Sequence, residues 1–227
     1  MNFFESFDLT VFLRQILVRT PAILFALGLH EFGHAIMAKK LGDDTPLLLK
    51  RNTINPLKHV DPIGLLCFIF FSFGWSRRIP VNTLKLKSKN KDTFIIAFSG
   101  PVLSIIVAIL AALIFYGFGI HKYSWFLNSN PKNTFFMINY LSDVLGSFMV
   151  VNLVIAVFNL IPIMPLDASA LWSVFITTKH MKTVMKYQVY GILLLLILIL
   201  TGVVQAIMNP IISGFNTLFI NLSGIFG

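Results

Sequence analysis

Apolar runs of bilayer length, separated by short polar loops, leave this chain few ways to fold. Residues 93–118, 135–162 and 189–208 each reach the about 20 residues that a helix needs to cross a hydrocarbon core of ~30 Å. A shorter run, 21–38, follows an amphipathic stretch, 11–18, that carries Arg14. The run 62–75 has only 14 residues, bounded by Asp61 and Arg77, which predicts a re-entrant or interfacial segment instead of a crossing. Gly100-Pro101 interrupts the third run, 189–208 is an almost unbroken Leu/Ile run, and the tail after Pro210 predicts a short sixth element. A soluble chain of 227 residues could not bury such runs, because its surface would be large relative to its volume. Apolar residues make up 56% and charged residues 12%, about half the usual ~25%. The expected fold class is therefore an all-α polytopic membrane protein. It has about five to six transmembrane helices and a re-entrant or interfacial segment between the first two core helices. With no repeat or low-complexity linker, residues 1–227 read as one membrane domain, with a core at about 20–175 and C-terminal membrane helices at about 185–227.

The net charge of +9 belongs to topology. Eleven of the 18 Lys and Arg residues fall in 39–92, against Lys122 and Lys132 in 119–134 and Lys179, Lys182 and Lys186 in 163–188. Basic loops stay on the cytoplasmic side, so 39–92 and 163–188 are expected inside and 119–134 outside, provided that 62–75 does not cross. No basic helix carries interleaved aromatics, so no nucleic-acid partner is expected. The lone Cys67 lies in an apolar run and reads as a packing residue. Residues 1–10 carry Glu5 and Asp8 and no basic n-region, so no cleaved signal peptide is expected.

Within the first span the chain reads Leu29-His30-Glu31-Phe32-Gly33-His34. Two histidines at i and i+4 share one helix face and can hold one metal ion, and the adjacent Glu31 can take a proton from a metal-bound water. Three ionisable residues in an apolar helix are costly, which marks them as functional. A hydrolytic zinc site takes three protein ligands and keeps a fourth position for water. The third ligand must come from elsewhere: Asp61, Asp143, Asp167, His59, His121 and His180 are the candidates. His30 and His34 lie near the end of the span that precedes Lys39-Lys40. The fourth run returns Asp167 to that same end, leaves Asp143 near the other, and makes Asp61 the runner-up. Asp167 follows Pro162 and Pro165, which break the helix where a water-filled cavity would tolerate broken backbone.

These stretches resemble the site-2 protease family of intramembrane zinc metalloproteases, in its compact bacterial-type branch without appended soluble domains. The resemblance rests on His30 to His34, on Ser99-Gly100-Pro101 in a middle span, and on Asn159, Pro162, Leu166 and Asp167 matching an Asn-x-x-Pro…Leu-Asp-Gly element. Asn55 to Gly64 and Phe73 to Asn82 add to it, so it covers most of 20–175. Three positions depart from the pattern: Ala168 stands where Gly is usual, Met164 where Pro is common, and Ser104 where Asn is frequent. The extra methyl at 168 bears on the turn that presents Asp167.

The resemblance implies one zinc ion per chain held by His30, His34 and Asp167. It also implies Glu31 as general base and Asn159 as a residue that binds the substrate backbone. It further implies a multi-pass protein of the cell membrane, with its active site toward the cytoplasm and a transmembrane protein or peptide as substrate, as in regulated intramembrane proteolysis. A substrate helix must unwind before attack, and the segment 74–81 is expected to offer a strand edge that holds it extended. Two rival readings are a catalytically inactive relative that binds membrane proteins, and a metal transporter that uses His and Asp as transit ligands. The oligomeric state is left open.

Overall fold

A computed structural model describes residues 9–71, 74–125, 136–172 and 188–226. The loop basic residues Lys132, Lys179, Lys182 and Lys186, together with His180 and Phe73, lie outside the described residues. The described chain is helical: α1 (Leu9–Lys40), α2 (Thr45–Leu48), α3 (Pro62–Phe71), α4 (Lys89–Gly117), α5 (Phe136–Asn159), α6 (Gln188–Leu200) and α7 (Val203–Phe226), with short 3-10 turns between them. Four of these helices are long and apolar enough to cross a membrane: α1, α4, α5 and the 203–223 part of α7. The protein is an all-α polytopic membrane protein.

The amphipathic stretch around Arg14 and the first apolar run form one helix, α1, which continues through Pro21. Likewise α4 runs through Gly100-Pro101 without a break. The central bundle is α1, α4 and α5. Ile23, Ala26 and Leu27 of α1 pack on Ile155 of α5, with Leu65 and Phe68 of α3 against them. At the far end Ala111, Ala112, Phe115 and Tyr116 of α4 meet Met149 of α5 and Phe219 of α7. At the Lys39-Lys40 end, Ala38 packs on Leu86 and Ile96. These contacts run α4 antiparallel to both α1 and α5.

The crossing of α1 and α4 is close because both helices present glycine there. A Cβ on Gly33 would lie 2.9 Å from the Ser99 carbonyl oxygen, and one on Gly100 would lie 2.3 Å from His34 Nε2. Ser99 Oγ donates across the same crossing to the Gly33 carbonyl at 3.1 Å. Small residues at a helix crossing are the usual way for membrane helices to gain close packing, since lipid supplies little hydrophobic drive between them.

The two described ends of the segment 62–75 lie together, the arrangement expected of a segment too short to cross. Asp61 caps α3, its Oδ1 accepting from Ile63 N at 3.0 Å and Gly64 N at 2.9 Å, with Pro62 at the first helical position. The returning chain passes so close to its start that a Cβ on Gly64 would lie 2.1 Å from the Trp75 carbonyl oxygen. A single antiparallel bridge, Val60 to Ser76, closes the base of this hairpin.

The run 189–208, which reads as one crossing, is divided. It forms the 13 residues of α6 and the start of α7, separated at Thr201-Gly202, where Gly202 has φ +78°. Leucine and isoleucine content reports an apolar environment but not where the backbone turns, and a left-handed glycine ends a helix. Pro210, expected to begin a new element, lies inside α7.

Overpacking the α1–α4 crossing tests this architecture. Gly33→Val is expected to cost about 1–3 kcal/mol and to lower the Tm of the detergent-solubilised chain by roughly 2–10 °C, read by a thermal unfolding scan against wild type.

Candidate metal centre

The inward face of α1 carries His30, Glu31 and His34, all buried. The chain leaves α5 at Asn159, and a turn through Pro162 and Pro165 brings Asp167 back onto that face. His30 Nε2 and Asp167 Oδ2 are 2.9 Å apart, His34 Nε2 and Asp167 Oδ2 3.1 Å, and the two Nε2 atoms 3.2 Å. The structure brings together the three residues that spacing and loop charge pick out in the sequence. They form the one three-residue group able to hold a metal ion among the described residues.

The neighbours set which ring atoms face inward. His34 Nδ1 lies 2.7 Å from the Ile96 carbonyl oxygen, which can only accept, so Nδ1 carries the proton and the Nε2 lone pair of the neutral ring points at the cluster. His30 Nδ1 lies 3.1 Å from Ser104 Oγ, which can accept from it in the same way. Two lone pairs and a carboxylate oxygen then converge with no proton to share among them, an arrangement that a cation satisfies. Tetrahedral zinc with ligands at about 2.0–2.1 Å separates its donor atoms by roughly 3.3 Å, close to the 2.9, 3.1 and 3.2 Å found here. The donor set fits zinc.

Glu31 is 2% exposed, and its carboxylate is held from outside α1. Ser76 Oγ donates to Oε1 at 2.5 Å, and the Ile79 backbone N–H donates to Oε2 at 2.9 Å. Both donors lie on the extended segment 74–82 that returns from α3. The same segment carries Arg78, whose guanidinium donates to the Pro165 carbonyl and lies 3.8 Å from Asp167 Oδ1.

The remaining candidates for the third ligand go elsewhere. Asp61 caps α3, an equally good use for an aspartate before Pro62 at a helix start. Asp143 pairs with Arg14 at 3.2 Å and accepts from Ser124 Oγ at 2.6 Å, at the opposite end of the bundle. His59 is fully buried with Nε2 2.8 Å from the Thr53 carbonyl oxygen, and burial pushes its imidazole below its ordinary value. His121 packs at a tilt against Tyr116, also far from the cluster. Asn159 is not drawn into the site by its amide nitrogen, which donates 3.0 Å back to the Ile155 carbonyl within α5.

Two of the sequence departures are accommodated. Ser104 supports His30, and Ala168 is buried in a 3-10 turn. Lys50 is the one non-glycine residue with positive φ among the described residues, so the methyl at 168 meets no left-handed backbone. Ile96, Ser76 and Arg78 carry no motif that would single them out. The expectation of a strand edge at 74–81 is modified as well: the N–H of Ile79 goes to Glu31, that of Arg77 to the His59 carbonyl, and Arg51 takes the Arg77 carbonyl.

The model of Peptidase family M50 matches residues 20–201. A protein of Bacillus subtilis (strain 168) named "Putative zinc metalloprotease YwhC" is 28% identical over 194 residues, covering 84% of this chain and 84% of that protein. One of Mycolicibacterium smegmatis named "Putative zinc metalloprotease Rip2" is 26% identical over 184 residues, covering 78% of this chain and 64% of that protein. No solved structure matches.

Gly100→Ala tests the site's dependence on the helix crossing. The new methyl would strike the His34 ring, so zinc per chain in the purified protein is expected to fall well below the wild-type value while the chain stays helical by circular dichroism.

Proposed function

Because the chain belongs to peptidase family M50, we propose that it is an intramembrane zinc metalloprotease. It hydrolyses peptide bonds in or near transmembrane segments of membrane proteins, in the manner of regulated intramembrane proteolysis. The observation that carries this reading is the convergence of His30 Nε2, His34 Nε2 and Asp167 Oδ2 beside a buried Glu31. His30, His34 and Asp167 hold one zinc ion per chain. Zinc bound there supplies a Lewis acid that activates water and polarises the scissile carbonyl. A Glu31 carboxylate oxygen takes the proton of the attacking water and hands it to the leaving amine. The apolar helices around the site exclude bulk solvent, and the non-helical stretch 160–167 lets water in at that depth. Asn159, at the end of α5, keeps its side-chain oxygen for the substrate backbone while its nitrogen is engaged within the helix.

The excess of Lys and Arg in 39–92 supports a site toward the cytoplasm, with the chain multi-pass in the cell membrane. The ligands gather at one end of the bundle, and Asp143, at the opposite end, pairs with Arg14. That arrangement favours hydrolysis over a transit pathway for metal. The substrate is a transmembrane protein or peptide.

Purified chain with Glu31→Gln is expected to keep its zinc and lose cleavage of a transmembrane peptide by at least about a hundredfold. His34→Ala and Asp167→Ala are expected to lose both. Chelation should abolish wild-type cleavage and added zinc restore it. Undiminished cleavage by Glu31→Gln would refute the protease reading, and zinc retained in Asp167→Ala would refute the ligand set.

A further inference from the structure

We propose that Ser76 and Arg78 are positioning residues of the site, Ser76 orienting Glu31 and Arg78 orienting Asp167. The inference rests on the protease reading above. In an extended chain residues i and i+2 project to the same side, so 76 and 78 face the site together while Arg77 faces away. Ser76 Oγ reaches Glu31 at 2.5 Å, and the Arg78 guanidinium lies over Asp167 Oδ1 at 3.8 Å while also donating to the Pro165 carbonyl. One face of one segment therefore holds both carboxylates of the site.

The direction of control follows from how the segment is anchored. Its own position is set by contacts that involve neither carboxylate. Ser76 bridges to Val60, Arg77 N donates to the His59 carbonyl at 2.7 Å, Arg51 donates to the Arg77 carbonyl at 2.5 Å, and Asn82 N donates to Asp43 Oδ2 at 2.7 Å. His59 and Asp43, which supply two of these anchors, are fully buried. Glu31, by contrast, is a flexible side chain whose hydrogen bonds both come from this segment. Asp167 presents Oδ2 to both histidines, and the cation beside Oδ1 keeps the other oxygen turned away. Groups that orient a metal ligand through its outer atoms commonly change affinity or activity by about 10- to 100-fold when removed.

The test uses the full chain in detergent, with zinc affinity measured by competition against a chromogenic chelator and cleavage measured on a transmembrane peptide. Ser76→Ala is expected to lower kcat about tenfold with KM and zinc affinity unchanged, and Ser76→Thr, which keeps the hydroxyl, to restore kcat. Arg78→Gln is expected to weaken zinc binding about tenfold, the low end of the range because this side chain is 54% exposed; Arg78→Lys should weaken it less. Arg78 is exposed enough that its replacement leaves folding intact, and its zinc readout needs no substrate. Wild-type kcat in Ser76→Ala and wild-type zinc affinity in Arg78→Gln, beside an inactive Glu31→Gln, would overturn the positioning alone. Faster cleavage by Ser76→Ala would also overturn it, making the segment a latch that must release Glu31. Cleavage retained by Glu31→Gln, or a wild-type chain that binds no zinc, would instead overturn the protease reading beneath it.

Discussion

Each ionisable side chain that α1 buries wholly or in part finds a partner on another element, because a hydrocarbon interior offers no water to satisfy it. Arg14 finds Asp143 on α5, His30 finds Ser104 on α4 and Asp167 after α5, His34 finds the Ile96 carbonyl on α4, and Glu31 finds the segment that follows α3. Leaving such a group unmatched costs about 1–3 kcal/mol, and more when it is charged. Apolar contacts between helices discriminate weakly, since lipid tails are as apolar as leucine. The polar pairs therefore specify which face of α1 each element meets and at what height. The fold and the candidate site are in this sense one set of constraints.

Helices and irregular segments divide the work. Helices α1 and α4 supply the nitrogen donors and their supports, where i, i+4 spacing and a close glycine crossing give fixed geometry. The carboxylates are handled by chain outside the α-helices: Asp167 opens a short 3-10 turn and Glu31 is gripped by an extended segment. The two stretches meet where Arg78 touches Pro165. Gly191 of α6 comes close behind the same turn, where a Cβ would lie 2.2 Å from the Met164 carbonyl oxygen. The short helix α6 thus backs the loop that carries Asp167.

Legibility in the sequence tracked the locality of each feature. His30, Glu31 and His34 could be placed because a helix repeat needs only neighbouring residues, and the re-entrant hairpin because 14 residues are too few to cross. Asp167 required the charge asymmetry of distant loops to bring it to the right height. Asp61 was its close rival because an aspartate before a proline looks the same as a ligand and as a helix cap. Ser76 and Arg78 were not legible, since their partners lie 45 and 89 residues away. Ile96 contributes only a backbone carbonyl, which no residue type announces. The division of 189–208 was hidden by its leucines, and only the backbone at Gly202 revealed it.

The hairpin through α3 begins and ends beside Gly64 and Trp75, so it adds an even count to the number of times the chain changes sides. It is topologically silent. Helices α1 and α4 remain consecutive and antiparallel whatever happens between them, and the hairpin can lengthen or shorten without inverting any later helix. The segment that holds Glu31 thus begins where the hairpin ends, so the hairpin's length can change without disturbing the order in which the membrane is stitched.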